Sequence, residues 1–454
     1  MNRKTQVAVT ALLALGGTYL LADAFDLTPG LLTTRPVEQK AAAYPAFVSQ
    51  NVTFVQPSEP SAEAPIPHAT DVQGLIASFI ADPGMSGEAS VEVVDAATGE
   101  ILGSLNPTTP RIPASNQKML TATAALSTFG PDATLPTTTV LADKTLYLVG
   151  GGDAMLAAGA GNPDAIVGHA GLGDLAEATA AKLKDEGLTS VSLAVDSSLF
   201  TGPLYHPEVE GPDTVYVMQM RPIAVNLSRD ANDAFTVDPD LQALDTFAAA
   251  LKQRGITANV VGRAEAPASA TDIAEVRGPS VRDLVDYMLT ESCNTTADIL
   301  GHLIGIAQGE PGDFDGGARA TKQVLTDLGY DTSRLTVSDN SGLSFLNRLD
   351  NPILIDILDD VYSCDQCALQ SIASGLPVSG LNGTLAYRMN DDGVAGRIRA
   401  KTGTLIEANS LSGYVMTEKG RVLTFSILVD HIETGATTNM RSVIDNFLVS
   451  LSKL

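Results

Sequence analysis

The chain has 454 residues, 44% of them apolar, enough to bury a core of ordinary size and too many for a single one, so two or more domains are expected. Asp and Glu total 53 against 28 Lys and Arg, a formal charge of −25 that repels polyanions and argues against nucleic acid as a partner. The same acidity implies a well-solvated surface and says little about fold.

Residues 1–25 read as an export segment: Arg3 and Lys4 precede an apolar run from Val7 to Leu21, and Ala22-Asp23-Ala24 offers a small-residue cleavage site. The run is short against the about 20 residues of a membrane span, and the pattern satisfies both a cleaved leader and a retained anchor. Either way the remainder is expected in the cell envelope, secreted or membrane-anchored. Residues 26–68, rich in Pro, Ala, Ser and Glu without a sustained apolar period, read as a linker.

Val72, Leu75, Ile76, Phe79 and Ile80 recur at helical spacing and stop at Pro83-Gly84, which predicts a first helix. Ala89 to Val94 alternates as a strand, Thr98-Gly99 supplies a turn, and Ile101 to Leu105 is a second strand. Ser115 follows Pro113-Ala114 and precedes an Ala- and Leu-rich run to Phe129. It is therefore expected in the first turn of a helix ended by Gly130-Pro131, with Lys118 on the same face.

The long interval to Ser292 carries a strand at Thr145 to Val149, glycines at 150–152 and an Ala-rich helix from Leu172 to Lys184, which is too much structure for a loop. An inserted domain over 133–270, or a pair of small ones, is expected, leaving 69–132 and 271–454 as the catalytic part. The triple glycine lacks phosphate-binding spacing and reads as a turn. Helical periodicity returns from Val281 to Ile306. Strands follow at Arg397 to Lys401, Leu411 to Met416 and Leu423 to Val429, with a terminal helix from Thr438. The fold class is α+β, an antiparallel sheet flanked by helices.

Three motifs in order carry chemistry: Ser115-Asn116-Gln117-Lys118, Ser292-Cys293-Asn294 and Lys401-Thr402-Gly403. The set is a signature of active-site serine acyl-transfer. A serine hydroxyl needs a base within reach, and its oxyanion product needs preorganised donors. Lys118, one turn from Ser115, meets the first need if neutral, and burial with the Lys401 cation nearby would lower its pKa. Ser292 would relay the proton to the leaving amine and Asn294 would hold the substrate amide. Residues two apart do not share a helix face, so both reach one cleft only where the helix breaks. Lys401, Thr402 and Thr404 offer a charge and hydroxyls to a substrate carboxylate, and Gly403 admits close approach.

Two rivals are set aside. Ser450 to Lys453 ends one residue before the C-terminus with no later motif. Ser338-Asp339-Asn340 is a better-spelled middle motif, but it runs into the turn-like Ser341-Gly342-Leu343-Ser344, whereas Ser292 follows Leu284, Met288 and Leu289 on a helix. Cys364 and Cys367 are the obvious disulfide pair in an exported chain, leaving Cys293 as a free, packed thiol. C-x-x-C alone is weak evidence for zinc, and the histidines have no matching spacing.

At Pro113 to Lys118, Leu148 to Asp153, Asp339 to Ser344, Leu376 to Gly380 and Arg399 to Leu405 the chain resembles the D-alanyl-D-alanine carboxypeptidases of the class C penicillin-binding protein group, over roughly residues 70–454. The resemblance implies a penicillin-binding domain split by a long insertion and cleavage of the terminal D-Ala from peptidoglycan stem peptides, with endopeptidase action on cross-links. It also implies acylation by β-lactams, with no cofactor or metal. It makes Ser115 the nucleophile, Lys118 the base, Ser292 and Asn294 the relay and substrate holder, and Lys401, Thr402 and Thr404 the carboxylate site, with the Thr404 amide as second oxyanion donor. Cys293 stands where Asp is usual, Asp298 where Glu is usual, and Asn340 where Gly is usual. A β-lactamase shares the motifs but not the long insertion, and a non-catalytic wall-binding protein would have lost a catalytic group that is present here.

Overall fold

The computed structural model describes residues 18–19, 60–363, 368–390 and 393–454. The export segment apart from residues 18–19, most of the linker and the Cys364–Cys367 pair lie outside them. Residues 57–454 form one compact unit.

In chain order, α1 (Ala69–Ile80) leads into the hairpin β1 (Glu88–Asp95) and β2 (Ile101–Leu105), and a 3-10 turn (Ala114–Asn116) runs directly into α2 (Gln117–Phe129). Then come β3 (Thr134–Ala142), β4 (Thr145–Gly150), β5 (Asp153–Leu156), α3 (Leu172–Asp185), β6 (Ser190–Asp196), β7 (Ile223–Val225), α4 (Pro239–Gln253), β8 (Thr257–Arg263) and β9 (Thr271–Ser280). The remainder is α5 (Val281–Thr290), α6 (Asn294–Ala307), α7 (Phe314–Asp327), α8 (Asn351–Ser363), α9 (Gln370–Gly375), β10 (Ile398–Leu405), β11 (Ala408–Met416), β12 (Val422–Asp430) and α10 (Thr437–Leu451).

The first sheet is antiparallel in the order β10-β11-β12-β1-β2, so the first two strands sit beside the last three. Strand alternation divides its residues. Val91, Val93, Ile398, Ala400, Leu411, Phe425 and Ile427 face α1 and α10, where Phe79 and Phe447 pack with ring centroids 5.4 Å apart. Each such ring buries apolar area worth about 1.5–3 kcal/mol. The opposite face, carrying Lys401, meets α2 and the other central helices, whose core includes Met119, Leu120, Met288, Leu300 and Leu354.

The second sheet is mixed, in the order β8-β6-β4-β3-β9. β4, β6 and β8 are parallel because α3 and α4 serve as crossovers, and their apolar stripes at Leu175, Leu183, Leu244 and Phe247 cover one face. β9 pairs antiparallel with β3 from Thr134↔Ser280 to Leu141↔Thr271. The second sheet therefore runs on through Ser280, beyond the return at residue 271 expected from sequence. Thr271 to Ser280 buries few side chains, and so gave no strand signal of its own. No helix among the described residues is long and apolar enough to cross a membrane.

Candidate active site

Ser115 sits in the 3-10 turn that opens α2, and Lys118 is in the first turn of α2 itself. Ala114, before the serine, is fully buried with φ 46°, a left-handed conformation that costs an L-residue about 1 kcal/mol or more. Two contacts hold it there. A Cβ on Gly342 would lie 1.9 Å from the Ala114 carbonyl oxygen, so glycine alone fits, and Gly342 itself has φ +84°. On the other side Ser410 Oγ donates to Pro113 O at 2.6 Å and accepts from Asn116 Nδ2 at 2.6 Å.

Lys118 is completely buried. Its Nζ lies 3.0 Å from Ser115 Oγ and 2.6 Å from Asn294 Oδ1, and it donates to the Ser341 carbonyl. Burial is the main cause that pulls its pKa down to about 8, while Asp298, Asp339 and Cys293 push it back up. The second cation acts the other way round from the sequence expectation. Lys401 is the amine held well below its ordinary value, chiefly by burial and then by Lys118, and burial alone accounts for the fall at Lys118.

Helical periodicity ran unbroken through residues 281–306 in sequence, but the structure divides it. α5 stops at Thr290 and α6 begins at Asn294, with Ser292 left-handed at φ 56°. The break turns the Ser292 hydroxyl toward Lys401 Nζ, which donates to it at 2.9 Å and to Thr402 O at 2.8 Å. Asn294 spans two segments: its Oδ1 accepts from Lys118, and its Nδ2 donates to Tyr216 O at 2.9 Å. Cys293 is a free, half-buried thiol that accepts from Thr296 Oγ1 at 3.2 Å.

β10 forms the edge of the first sheet, and Ala400 N donates outward to Pro377 O. Two and four residues on, the amides of Thr402 and Thr404 point to the same outer edge. Their side chains lie on the opposite face from Lys401: Thr402 Oγ1 is 2.7 Å from Thr384 Oγ1, and the exposed Thr404 donates to Asn409 Oδ1 at 3.2 Å. Gly403 is required for packing. A Cβ there would lie 2.1 Å from Ser410 Oγ and 2.8 Å from Pro113 O, so its close approach is to the serine's own turn.

The rival Ser338-Asp339-Asn340 is held by hydrogen bonds in the turn that leads to Ser341. Ser338 Oγ is 3.1 Å from His206 Nε2 and accepts from Ser344 Oγ at 3.0 Å. His206 Nδ1 accepts from Glu208 N at 3.2 Å, so the proton is on Nε2 and this imidazole is no base for Ser338. The backbone after it supplies Ser341 O to Lys118. Asp339 and Ser341 were missed as partners of Lys118 in sequence, where their signals were the turn-like run at 341–344 and the resemblance over Asp339 to Ser344.

A cleft of about 470 Å³ opens beside Ser292, Cys293 and Asn294, walled by Tyr216, Arg229, Phe235 and Tyr287. A larger hollow of about 700 Å³ at Tyr362, Arg397 and Tyr414 contains none of the motif residues.

A serine beside a buried amine at a helix start, a second serine–lysine pair and an edge strand facing both, on an antiparallel sheet flanked by helices, define a serine-type peptidase of the penicillin-binding class. The sequence model of the D-Ala-D-Ala carboxypeptidase 3 (S13) family matches residues 72–236 and 231–451, and the chain belongs to that family of serine D-Ala-D-Ala carboxypeptidases. It is 32% identical to carboxypeptidase DacB of Mycolicibacterium smegmatis, over 94% of this chain and 93% of that one. It is 29% identical to a D-alanyl-D-alanine carboxypeptidase of Actinomadura, over 86% of each. Penicillin-binding protein 4 of Haemophilus influenzae has the same fold, with a TM-score of 0.69 at 18% identity, covering 86% of this chain and all of that one.

Proposed function

We propose that this carboxypeptidase cleaves the terminal D-Ala from peptidoglycan stem peptides through an acyl-enzyme on Ser115, and that Lys118 is the base. The observation that carries the reading is the set of partners around Lys118 Nζ. A neutral amine has two hydrogens and one lone pair. Asn294 Oδ1 and Ser341 O take the hydrogens, which leaves the lone pair for the Ser115 hydroxyl proton.

In acylation Ser115 Oγ attacks the D-Ala-D-Ala carbonyl carbon as its proton passes to Lys118. The oxyanion is received by the Ser115 amide at the start of α2 and by the outward Thr404 amide of β10. As the C–N bond breaks, the leaving amine takes a proton relayed through Ser292, which Lys401 orients. Water then hydrolyses the ester and Ser115 is restored. Lys401, Thr402 and Thr404 receive the terminal carboxylate at the edge of β10, with Gly403 keeping that strand against the serine's turn. Asn294, once it exchanges Tyr216 O for substrate, holds the stem peptide's amide.

β-Lactams, which present a strained amide and a carboxylate, acylate Ser115 by the same route, and cross-linked stems are opened as endopeptidase substrates. We further read the segment after residue 132 as an inserted domain within the catalytic part, and residues 1–25 as the export leader or anchor that delivers the enzyme to the envelope.

The test is release of D-Ala from a pentapeptide and covalent labelling by fluorescent penicillin. Both are expected to vanish in Ser115→Ala, and labelling that survives there refutes the nucleophile. A digest of purified peptidoglycan read by mass separates shortened stems from opened cross-links.

A further inference from the structure

No step of the reaction above uses Ser410, yet this buried residue of β11 touches both segments that carry the oxyanion donors. In the β10–β11 ladder it is the partner of Gly403. Because the Ala400 amide points outward to Pro377 O, alternation along β10 sends the amide and carbonyl of Gly403 inward, to Ser410. The Gly403 carbonyl and the Thr404 N–H belong to one trans peptide unit and point in opposite directions. Pairing with Ser410 therefore aims the Thr404 amide outward. The Ser410 side chain shares the face of Lys401 and Gly403, and it reaches across Gly403 to the serine's turn. There its hydroxyl donates to Pro113 O at 2.6 Å and accepts from Asn116 Nδ2 at 2.6 Å. Pro113 O also accepts from Asn116 N at 3.1 Å, which closes the 3-10 turn, so Ser410 grips both ends of the turn that presents the Ser115 amide.

We propose that Ser410 is a positioning residue for acylation, and that it fixes the gap between the Ser115 and Thr404 amides. An oxyanion donor is effective only when held at hydrogen-bond distance from the place where the charge develops. Pro113 and Ser410 are 297 residues apart in sequence, so nothing along the chain sets that gap. Steric contact limits it on one side: a Cβ on Gly403 would lie 2.8 Å from Pro113 O and 3.0 Å from Ala114 Cβ, so β10 can come no closer to the turn. The two hydrogen bonds of Ser410 limit it on the other, by keeping the turn from drawing away. Ala114, left-handed at φ 46°, gives the turn a reason to relax once that grip is lost. The glycine of Lys-Thr-Gly belongs to the same device, because any Cβ at Gly403 would lie 2.1 Å from Ser410 Oγ and block the hydroxyl from crossing.

The inference rests on acylation at Ser115, and it is read by a split that general loosening does not give. In Ser410→Ala the rate constant of penicillin acylation is expected to fall by about 10- to 100-fold, while the penicillin concentration that half-saturates the rate stays within about twofold of the parent. Phenylboronic acid forms a tetrahedral adduct with the serine hydroxyl that puts an oxygen between the two amides, and it is expected to bind about tenfold more weakly or worse. The pH midpoint of acylation is expected to stay at about 8, because Lys118 keeps its partners. Asn116→Ala removes one arm of the same grip. Added to Ser410→Ala it is expected to slow the rate by less than about threefold, since its effect passes through Ser410. Alone it is expected to show the same split at about three- to tenfold, which decides the matter where Ser410→Ala does not fold. A Ser410→Ala rate within about threefold of the parent, a loss shared equally by rate and half-saturation, or losses that multiply in the double variant overturn the positioning role. Labelling that persists in Ser115→Ala removes the nucleophile instead, and is seen without any Ser410 variant.

Discussion

The pH dependence of Ser115 acylation follows from the burial of Lys118. Only the neutral amine takes the serine proton, and burial brings its pKa from the ordinary 10.5 to about 8. The neutral fraction is then about one half at pH 8, one tenth at pH 7 and one hundredth at pH 6. Single-turnover labelling with a fluorescent penicillin should give a rate constant that climbs tenfold per pH unit below about 8 and levels off above it. The same shift acts on stability. The unfolded chain holds one more proton on this lysine between pH of about 8 and 10.5, so stability is lower by about 3 kcal/mol below that window and rises with pH across it. A rate that is flat between pH 6 and 8, or a rise that continues toward the ordinary lysine value, would falsify the reasoning, because either means that burial does not set the charge of the base.

The remaining expectations concern individual positions. Lys118→Met should abolish labelling yet raise unfolding free energy by about 1–3 kcal/mol in denaturant melts at neutral pH, since it removes a buried amine from a site of low polarity; a loss of stability means the lysine's three polar contacts outweigh its burial. Ser292→Ala should slow acylation by about 10²-fold or more, and Ser338→Ala by far less, its cost appearing in the melting temperature instead; the reverse order refutes the choice between the two motifs. Gly342→Ala places a methyl 1.9 Å from Ala114 O at a φ of +84°, and should cost more than 3 kcal/mol or prevent folding. Gly99→Ala, at φ +72° with open space around it, serves as the control for strain without a clash and should cost about 1 kcal/mol in the same melts.

The local devices of the site were legible in sequence wherever spacing along one element decided them. Ser115 and Lys118 are three residues apart at a helix start, and the lysine amine does reach the serine. The requirement that Ser292 and Asn294 serve one cleft called for a broken helix, and the break is there, though periodicity alone had drawn one helix through it. What stayed illegible depends on distant segments meeting. Asp298 and Asp339 act on Lys118 from α6 and from the turn after α7, and neither lies within a motif spacing of it. Thr402 and Thr404 look like neighbours of Lys401 in a run of three polar residues, yet the pleat sends their side chains to the opposite face. β9 eluded the pattern because an edge strand buries too little to alternate clearly.

The contacts that make Ser115 reactive are also among the longest in the chain. Lys118 reaches Asn294 and Ser341 across sequence separations of 176 and 223 residues, and Asn116 reaches Ser410 across 294. Contacts this remote in sequence form late, because the loop they close must be ordered first. A nascent chain therefore holds its serine beside a lysine that is not yet buried, without a relay or a closing strand, until β10 has emerged. Reactivity toward penicillin thus reports completion of the whole fold, and a fragment ending before β10 should take up no label even when its hairpin and α2 are present.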